Sequence, residues 1–155
     1  MSSETAWRDL NVYRDSKYDN LVTRFCSTRT KTTESENQQS VIFKTVKELM
    51  VFAALIGLET ENYKPISGGK KIPITLDTYS RTKHDAYIYL IALSQQPDLD
   101  VLKNENLPTA IKHFEAYCNG GLEVISNWIL QNLSEDFGTN TIFSKVLEHL
   151  TINNE

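Results

Sequence analysis

The amino-acid sequence predicts a mainly α-helical protein, a compact single-domain helical bundle with a small β-hairpin or ribbon insertion. Apolar residues recur at helical spacing through most of the chain, whereas one stretch near the middle is rich in glycine and proline. A length of 155 residues, with 40% hydrophobic and 23% charged residues, is typical of one globular domain. We therefore treat residues 1–155 as a single domain with one core.

The N-terminal part predicts one short helix followed by a long polar segment. The helix is marked by apolar residues at helical spacing and is expected to end near Cys26; these residues are Tyr18, Leu21, Val22 and Phe25. Residues 27–40 have no apolar side chain, so burial cannot offset the entropy of ordering them, and we expect a mobile loop. Residues 1–12 and 151–155 are expected to be flexible ends.

The next predicted helix has clear signals at both ends. Thr45 and Glu48 fit a capping box, and Gly57 fits a left-handed stop. Apolar residues between them form one stripe of Val46, Leu49, Met50, Ala53 and Ile56, and a second face of Phe52 and Leu55. A helix that is apolar on two faces is predicted to lie at the centre of the fold.

The glycine- and proline-rich stretch that follows predicts the β element. Ile66, Ile72, Ile74 and Leu76 flank the glycines, which favours a short ribbon, and the prolines confine it to a sheet edge. Lys64, Lys70 and Lys71 are expected to project from its exposed tip.

The C-terminal half predicts four further helices. Residues 82–95 show helical period and stop at Pro97, and Pro108 suits the first turn of the next helix. Residues 119–121, Asn-Gly-Gly, predict a tight corner at which that helix ends and another begins. Thr141 is expected to cap a last amphipathic helix.

The charges are distributed unevenly along a chain whose net charge is −4. Residues 41–84 carry seven Lys or Arg against four acids, whereas residues 85–155 carry three against ten. Basic side chains bind nucleic-acid phosphates in a salt-dependent manner. The candidate nucleic-acid-binding residues are Lys64, Lys70, Lys71, Arg81 and Lys83.

Composition also bounds the compartment. The N-terminus shows no basic region followed by an apolar run, and the longest apolar run, residues 49–56, is too short for a membrane span. Cys26 and Cys118 lie in no paired motif, so reduced thiols are expected. These features predict a cytoplasmic protein that does not enter the membrane.

The sequence offers no recognisable catalytic or metal-binding set. The histidines, which are His84, His113 and His149, show none of the close spacings of metal ligands. The segment 67–71 fails the phosphate-loop pattern, since Lys64 and Lys71 stand where glycine and Ser or Thr are required. Nuclease carboxylates and an activated Cys or Ser are also missing. We therefore predict no catalytic residue, no metal and no cofactor.

Two sequence blocks nevertheless resemble a known family. The segment Phe114–Trp128 reads FEAYCNGGLEVISNW and resembles the FEEYANGGLEIL-like segment of the Dnd system-associated protein four family, small accessory proteins of DNA phosphorothioation loci. The segment Phe43–Leu58 is similar to that family's F-x-T-x-K-D-x-M-V-F-A-A-x-x-G block. The resemblance runs from about Tyr13 to Trp128, and the chain departs from it after Gln131. Cys118 stands where a small residue is expected.

The resemblance implies a bacterial DNA modification and phage-defence setting. Combined with the missing catalytic set, this setting predicts a non-enzymatic accessory protein that acts through contacts with other proteins of the defence locus and through weak DNA contacts. Two alternatives stay open: a DNA-binding regulator that uses the basic central patch, and a nuclease-complex subunit that is inactive alone. The matched residues are expected to be structural or interface positions; they are Thr45, Lys47, Met50, Phe52, Ala53, Ala54, Gly57, Phe114, Glu115, Tyr117, Asn119, Gly120, Gly121, Leu122 and Glu123.

Overall fold

A computed structural model describes residues 6–27, 41–132 and 139–152 of the chain. These residues contain six α-helices: α1 (Asp19–Phe25), α2 (Val46–Glu59), α3 (Leu76–Arg81), α4 (Asp85–Gln95), α5 (Leu107–Gln131) and α6 (Thr139–Ile152). They also contain two strands, β1 (Asn11–Asp15) and β2 (Lys71–Thr75), and short 3-10 turns at Ala6–Asp9, Ser16–Tyr18, Leu99–Leu102 and Asn104–Asn106. The predicted mainly α class is confirmed.

Helices α2 and α5 form the centre of the fold. Helix α5 has 25 residues and is therefore about 38 Å long. It packs along α2, whose side chains are buried on several sides, among them Leu49, Met50, Val51, Ala53, Ala54 and Ile56. The prediction of a central helix at this position is confirmed. The remaining elements pack around this pair and complete one apolar core.

The glycines at the α2–α5 contact have a different role from the predicted one. Helix α5 runs without interruption through residues 119–121, and α2 continues past Gly57 to Glu59. The predicted corner and the predicted glycine stop are therefore wrong. The left-handed residue after α2 is Glu61, with φ of 53°.

Close backbone approach explains why glycine is required inside these helices. A Cβ added to Gly121 would lie 1.7 Å from the carbonyl oxygen of Ala53, and one added to Gly57 would lie 2.0 Å from that of Tyr117. A Cβ on Gly120 would lie 1.7 Å from the carbonyl oxygen of Asn62. Each glycine leaves room for the backbone of a neighbouring segment.

The β element is confirmed at residues 71–75, but its pairing is not local. Strand β2 pairs antiparallel with β1, in a register that joins Asn11 to Thr75 and Asp15 to Lys71. Leu76, expected in a ribbon around the glycines, instead begins α3. Residues 6–12, assigned to a flexible end by the sequence, form a 3-10 turn and the start of β1.

Several local sequence signals are confirmed by the helix ends. The Thr45 hydroxyl accepts a hydrogen bond from the Glu48 N–H at 3.2 Å, as a capping box requires. Pro108 lies in the first turn of α5, and α1 ends at Phe25, next to Cys26. Thr141 does not cap α6, because that helix begins at Thr139. Of the predicted loop 27–40, residues 28–40 lie outside the described residues, as do residues 1–5 and 153–155 of the predicted flexible ends.

Candidate functional site

Most apolar residues of the two sequence blocks pack the interior around α2 and α5. Met50 is fully buried, and its sulfur accepts a hydrogen bond from the Tyr79 hydroxyl at 3.2 Å. The Tyr79 ring meets Phe114 edge to face, with centroids 5.8 Å apart. Phe52 lies 5.4 Å from Phe43 between ring centroids. These residues stabilise the core.

The polar residues of the second block hold the segment after α2 against α5. The side-chain amide of Asn119 donates to the carbonyl of Lys64 at 3.0 Å, and the Lys64 N–H donates to the carbonyl of Ala116 at 3.0 Å. The amide of Asn62 donates to the carbonyl of Gly120 at 2.9 Å. We call these hydrogen bonds the clamp. They explain the Asn-Gly pair within a continuous helix, because Asn119 makes one of the bonds and Gly120 lets the backbone at Asn62 approach α5.

The same segment continues the clamp with exposed contacts. The Tyr63 ring packs edge to face on Tyr117 at 4.9 Å, and its hydroxyl hydrogen-bonds to Nδ1 of His113 at 2.9 Å. The ammonium of Lys64 lies 2.6 Å from a carboxylate oxygen of Glu123. Hydrogen bonds from Lys64 and from Asn62 lower the pKa of Glu123. Lys64 is therefore already paired with one carboxylate.

A group of buried and partly buried polar side chains lies near the contact between β1 and α5. Glu115 accepts a hydrogen bond from the Tyr13 N–H at 2.8 Å, and burial raises the pKa of its carboxyl group. Arg14 is buried and pairs with Asp19. Burial also raises the pKa of the Cys118 thiol to about 12. A thiol with this pKa stays protonated at neutral pH, and the Cys118 side chain is packed within the core.

A second hydrogen-bonded network begins at Lys47, a buried lysine that the sequence indicated only as a position matching the family block. The ammonium of Lys47 donates to the carbonyl of Thr78 at 3.1 Å and to the hydroxyl of Thr82 at 2.6 Å. That hydroxyl also hydrogen-bonds to Nδ1 of His84 at 2.6 Å. Burial lowers the pKa of Lys47. The arrangement caps the C-terminal end of α3 and fastens it to α2.

A small cleft of about 290 Å³ lies among α4, α5 and the turn Leu99–Leu102. Its polar lining is used in intramolecular hydrogen bonds. Asp98 accepts from the N–H of Asp100 at 2.9 Å, and the Asn106 amide donates to the carbonyl of Asp100 at 2.8 Å. These contacts stabilise the turns that lead into α5.

The predicted basic patch divides into two groups at opposite ends of β2. Three of its lysines join Lys17 near the turn at Gly68; we call Lys17, Lys64, Lys70 and Lys71 the lysine cluster. The Ser16 N–H donates to the carbonyl of Lys70 at 3.0 Å, and Lys71 pairs with Asp15 in the sheet. Lys17 could not be predicted as a member of this group, because its proximity to the other lysines depends on pairing between strands that are far apart in the chain.

The other two predicted residues follow the far end of β2, a strand of five residues that spans about 13 Å. There Arg81 pairs with Asp77 at 2.8 Å, and Arg8 approaches the same carboxylate at 3.8 Å. Lys83 lies in the turn after α3, with φ of 62°. The structure therefore does not bring Arg81 and Lys83 together with Lys64, Lys70 and Lys71.

An exposed apolar surface on α6 was also not predicted. Phe143, Leu147 and Leu150 are 65%, 45% and 58% exposed, and we call them the α6 apolar face. Their spacing of four and three residues places them on one side of the helix. An adjacent side of the helix packs on the core through Ile142, and the ring of His149 lies 6.0 Å from Trp128.

A comparison with protein families connects this fold with a biological system. The family model described as DNA sulphur modification system-associated protein 4 matches residues 27–149. The chain belongs to this family. The match includes both sequence blocks, and it extends through most of α6, where the sequence was expected to depart from the family pattern.

The family assignment confirms the resemblance inferred from the sequence, and its description connects this chain with a DNA sulphur modification system. Neither the curated proteins nor the solved structures gave a significant match. Within residues 6–27, 41–132 and 139–152, no helix is long and apolar enough to cross a membrane. In those same ranges, no three His, Cys, Asp or Glu side chains are grouped so that they could hold a metal ion.

Proposed function

We propose that this member of the DNA sulphur modification system-associated protein 4 family is a cytoplasmic, non-enzymatic accessory protein. It acts by contacting another protein of the same modification locus. The observation that carries this proposal is the α6 apolar face, three large apolar side chains on one side of a helix that packs on the core through an adjacent side. Helices with such spacing bind apolar grooves of partner proteins through residues at i, i+4 and i+7.

The α6 apolar face is large enough to matter energetically. Together, the exposed parts of Phe143, Leu147 and Leu150 have the surface of between one and two whole side chains. Covering that surface contributes about 3 kcal/mol, which corresponds to roughly a 150-fold gain in affinity. A partner that buries the face therefore gains a substantial part of a specific interaction from three residues.

The rest of the chain offers little apolar material to cover this face. Among residues outside the described ranges, large apolar side chains occur only at Met1, Leu133 and Phe137. Segments 28–40 and 153–155 have none. The occupant that we propose is another protein of the modification locus.

The proposal is tested by affinity purification from cells that express the complete modification locus. The double variant Phe143→Ser, Leu147→Ser removes most of the α6 apolar face without changing charge. The matched control is Leu90→Ser, since Leu90 is 58% exposed on α4 and lies outside the face. We expect the wild type and Leu90→Ser to retain a protein of the locus that the double variant loses.

Two outcomes would contradict the proposal. Equal capture by the wild type and the double variant would show that the α6 apolar face does not hold a partner. Self-association of the purified wild type, lost in the double variant when measured by light scattering, would assign the face to a second copy of this chain instead. Circular dichroism and thermal unfolding establish that both variants are folded.

A further inference from the structure

We infer that the lysine cluster, Lys17, Lys64, Lys70 and Lys71, is a binding site for the phosphate backbone of duplex DNA. This inference uses a surface other than the α6 apolar face and does not depend on the proposed protein contact. It also revises the predicted basic patch, because Lys17 is added and both Arg81 and Lys83 are removed.

The fold itself brings these lysines together. Pairing of β1 with β2 places Asp15 opposite Lys71, so that Lys17 follows at the same end of the sheet as Lys70. Glu123 on α5 shows that Lys64 belongs to the same group. Its carboxylate pairs with Lys64 at 2.6 Å and also attracts Lys17 electrostatically. Two distant parts of the sequence, Lys17 and residues 64–71, thus contribute positive charge to one surface.

The charge at this surface is opposite in sign to the net charge of the chain. Four ammonium groups lie near three carboxylates, those of Asp15, Glu115 and Glu123, which leaves a local excess of one positive charge on a chain of net charge −4. Asp15 is buried and accepts a hydrogen bond from the Lys17 N–H at 3.0 Å. Most of the charge exposed here is therefore positive.

The shape of the turn between Lys64 and Lys70 suits a large, rigid ligand. Gly68 and Gly69 have φ of 69° and 68°, so both adopt the left-handed conformation that glycine accepts readily. A Cβ on Gly68 would meet no atom within 4 Å, which shows that the turn is open on its outer side. A nucleic-acid backbone can approach this turn without meeting side chains at Gly68 or Gly69.

The aromatic residues near the cluster favour a duplex over a single strand. The ammonium of Lys17 lies 5.0 Å from the ring centroid of Tyr18, and that of Lys71 lies 5.9 Å from the ring centroid of Tyr13. Tyr18 is buried. Single-strand binding sites use exposed aromatic rings for base stacking, but these two rings are buried or covered by lysine. Tyr63, beside Lys64, is 41% exposed, and its ring is already packed edge to face on Tyr117. Lysines supply point charges for phosphates, which a duplex presents on its outside.

Counterion release determines how strongly DNA binding by the lysine cluster should depend on salt concentration. If four lysines each neutralise one phosphate, the logarithm of the binding constant falls with a slope of about −3.6 against the logarithm of salt concentration. The binding constant then falls about 150-fold between roughly 50 and 200 mM salt. Replacing two of the lysines lowers the slope to about −1.8 and the loss to about 12-fold.

The test is fluorescence anisotropy of a labelled duplex titrated with the full chain across a salt series. The test variant Lys70→Gln, Lys71→Gln and the control variant Arg81→Gln, Lys83→Gln remove the same charge. We expect weaker binding and a slope reduced by about two for the test variant, with little change for the control. In addition, Glu123→Gln removes the carboxylate that neutralises Lys64, so it should tighten binding, which no misfolded variant would do.

Three results would overturn the inference. The first is no binding of the wild-type chain at low salt, and the second is an equal loss for the test and control variants. The third concerns the class of ligand: competition by polyglutamate as strong as that by duplex DNA, at equal charge concentration, would assign the cluster to an acidic protein segment. Stronger competition by duplex DNA than by single strands or polyglutamate supports the inference.

Discussion

Replacing Gly121 by alanine tests the packing of α2 against α5, because the added methyl group has no room. Its Cβ would lie 1.7 Å from the carbonyl oxygen of Ala53, whereas ordinary contacts are 3.4–4 Å. Relief of this overlap requires the two helices to separate by roughly 1.5 Å. Dispersion contacts lose a quarter to a half of their energy over a gap of only about 0.5–1 Å.

Two opposing contributions determine how much Gly121→Ala changes the free energy of unfolding. Overpacking a tight core costs about 1–3 kcal/mol or more, and a clash between backbones belongs at the upper end of that range. Alanine in place of glycine inside a helix contributes a gain of about 1 kcal/mol. We therefore expect Gly121→Ala to lower the free energy of unfolding by about 2 kcal/mol or more, and Tm by roughly 4–8 °C.

Urea unfolding followed by tryptophan fluorescence measures this change, since Trp128 lies on α5. Asn127→Ala is the matched control, because Asn127 is exposed on the same helix and the substitution changes only helix propensity. If Gly121→Ala were as stable as the wild type or more stable, helix propensity alone would account for the result. The close approach of α2 and α5 would then be refuted.

Three further predictions concern single side chains. Because the pKa of Glu115 is raised, the stability contributed by its protonated form is lost as pH rises through that pKa. Glu115→Gln should thus be more stable than the wild type at neutral pH but not below pH 4.5, as measured by urea unfolding. The buried thiols of Cys26 and Cys118 should react with a disulfide reagent only after unfolding. Asn62→Ala removes hydrogen bonds to Gly120 and Glu123 and should lower the unfolding free energy by about 1–3 kcal/mol in the same assay.

Elements whose signals are local could be predicted from the sequence. The first helix, the Thr45 cap and the proline in the first turn of α5 each depend on residues within a few positions of one another. The role of Gly121 could not be predicted in this way. Glycine usually marks a turn or helix end, whereas here it serves the approach of α2, which is more than 60 residues away in the sequence.

The same distinction between local and distant signals applies to the candidate surfaces. Lys70 and Lys71 are adjacent in sequence and share one surface, but Arg81 lies at the other end of β2 and pairs with Asp77. Lys17 joins the lysine cluster only because β1 pairs with β2. For α6, the amphipathic pattern predicted a helix, but which apolar side chains stay exposed depends on how that helix packs.

The measurement that tests the proposed function most directly is quantitative mass spectrometry of proteins that copurify with this chain from cells carrying the modification locus. The proposal predicts that one locus protein is recovered in stoichiometric amount with the wild type and with Leu90→Ser, and is lost with Phe143→Ser, Leu147→Ser. Recovery of no locus protein with the wild type, or equal recovery with all three chains, would contradict it.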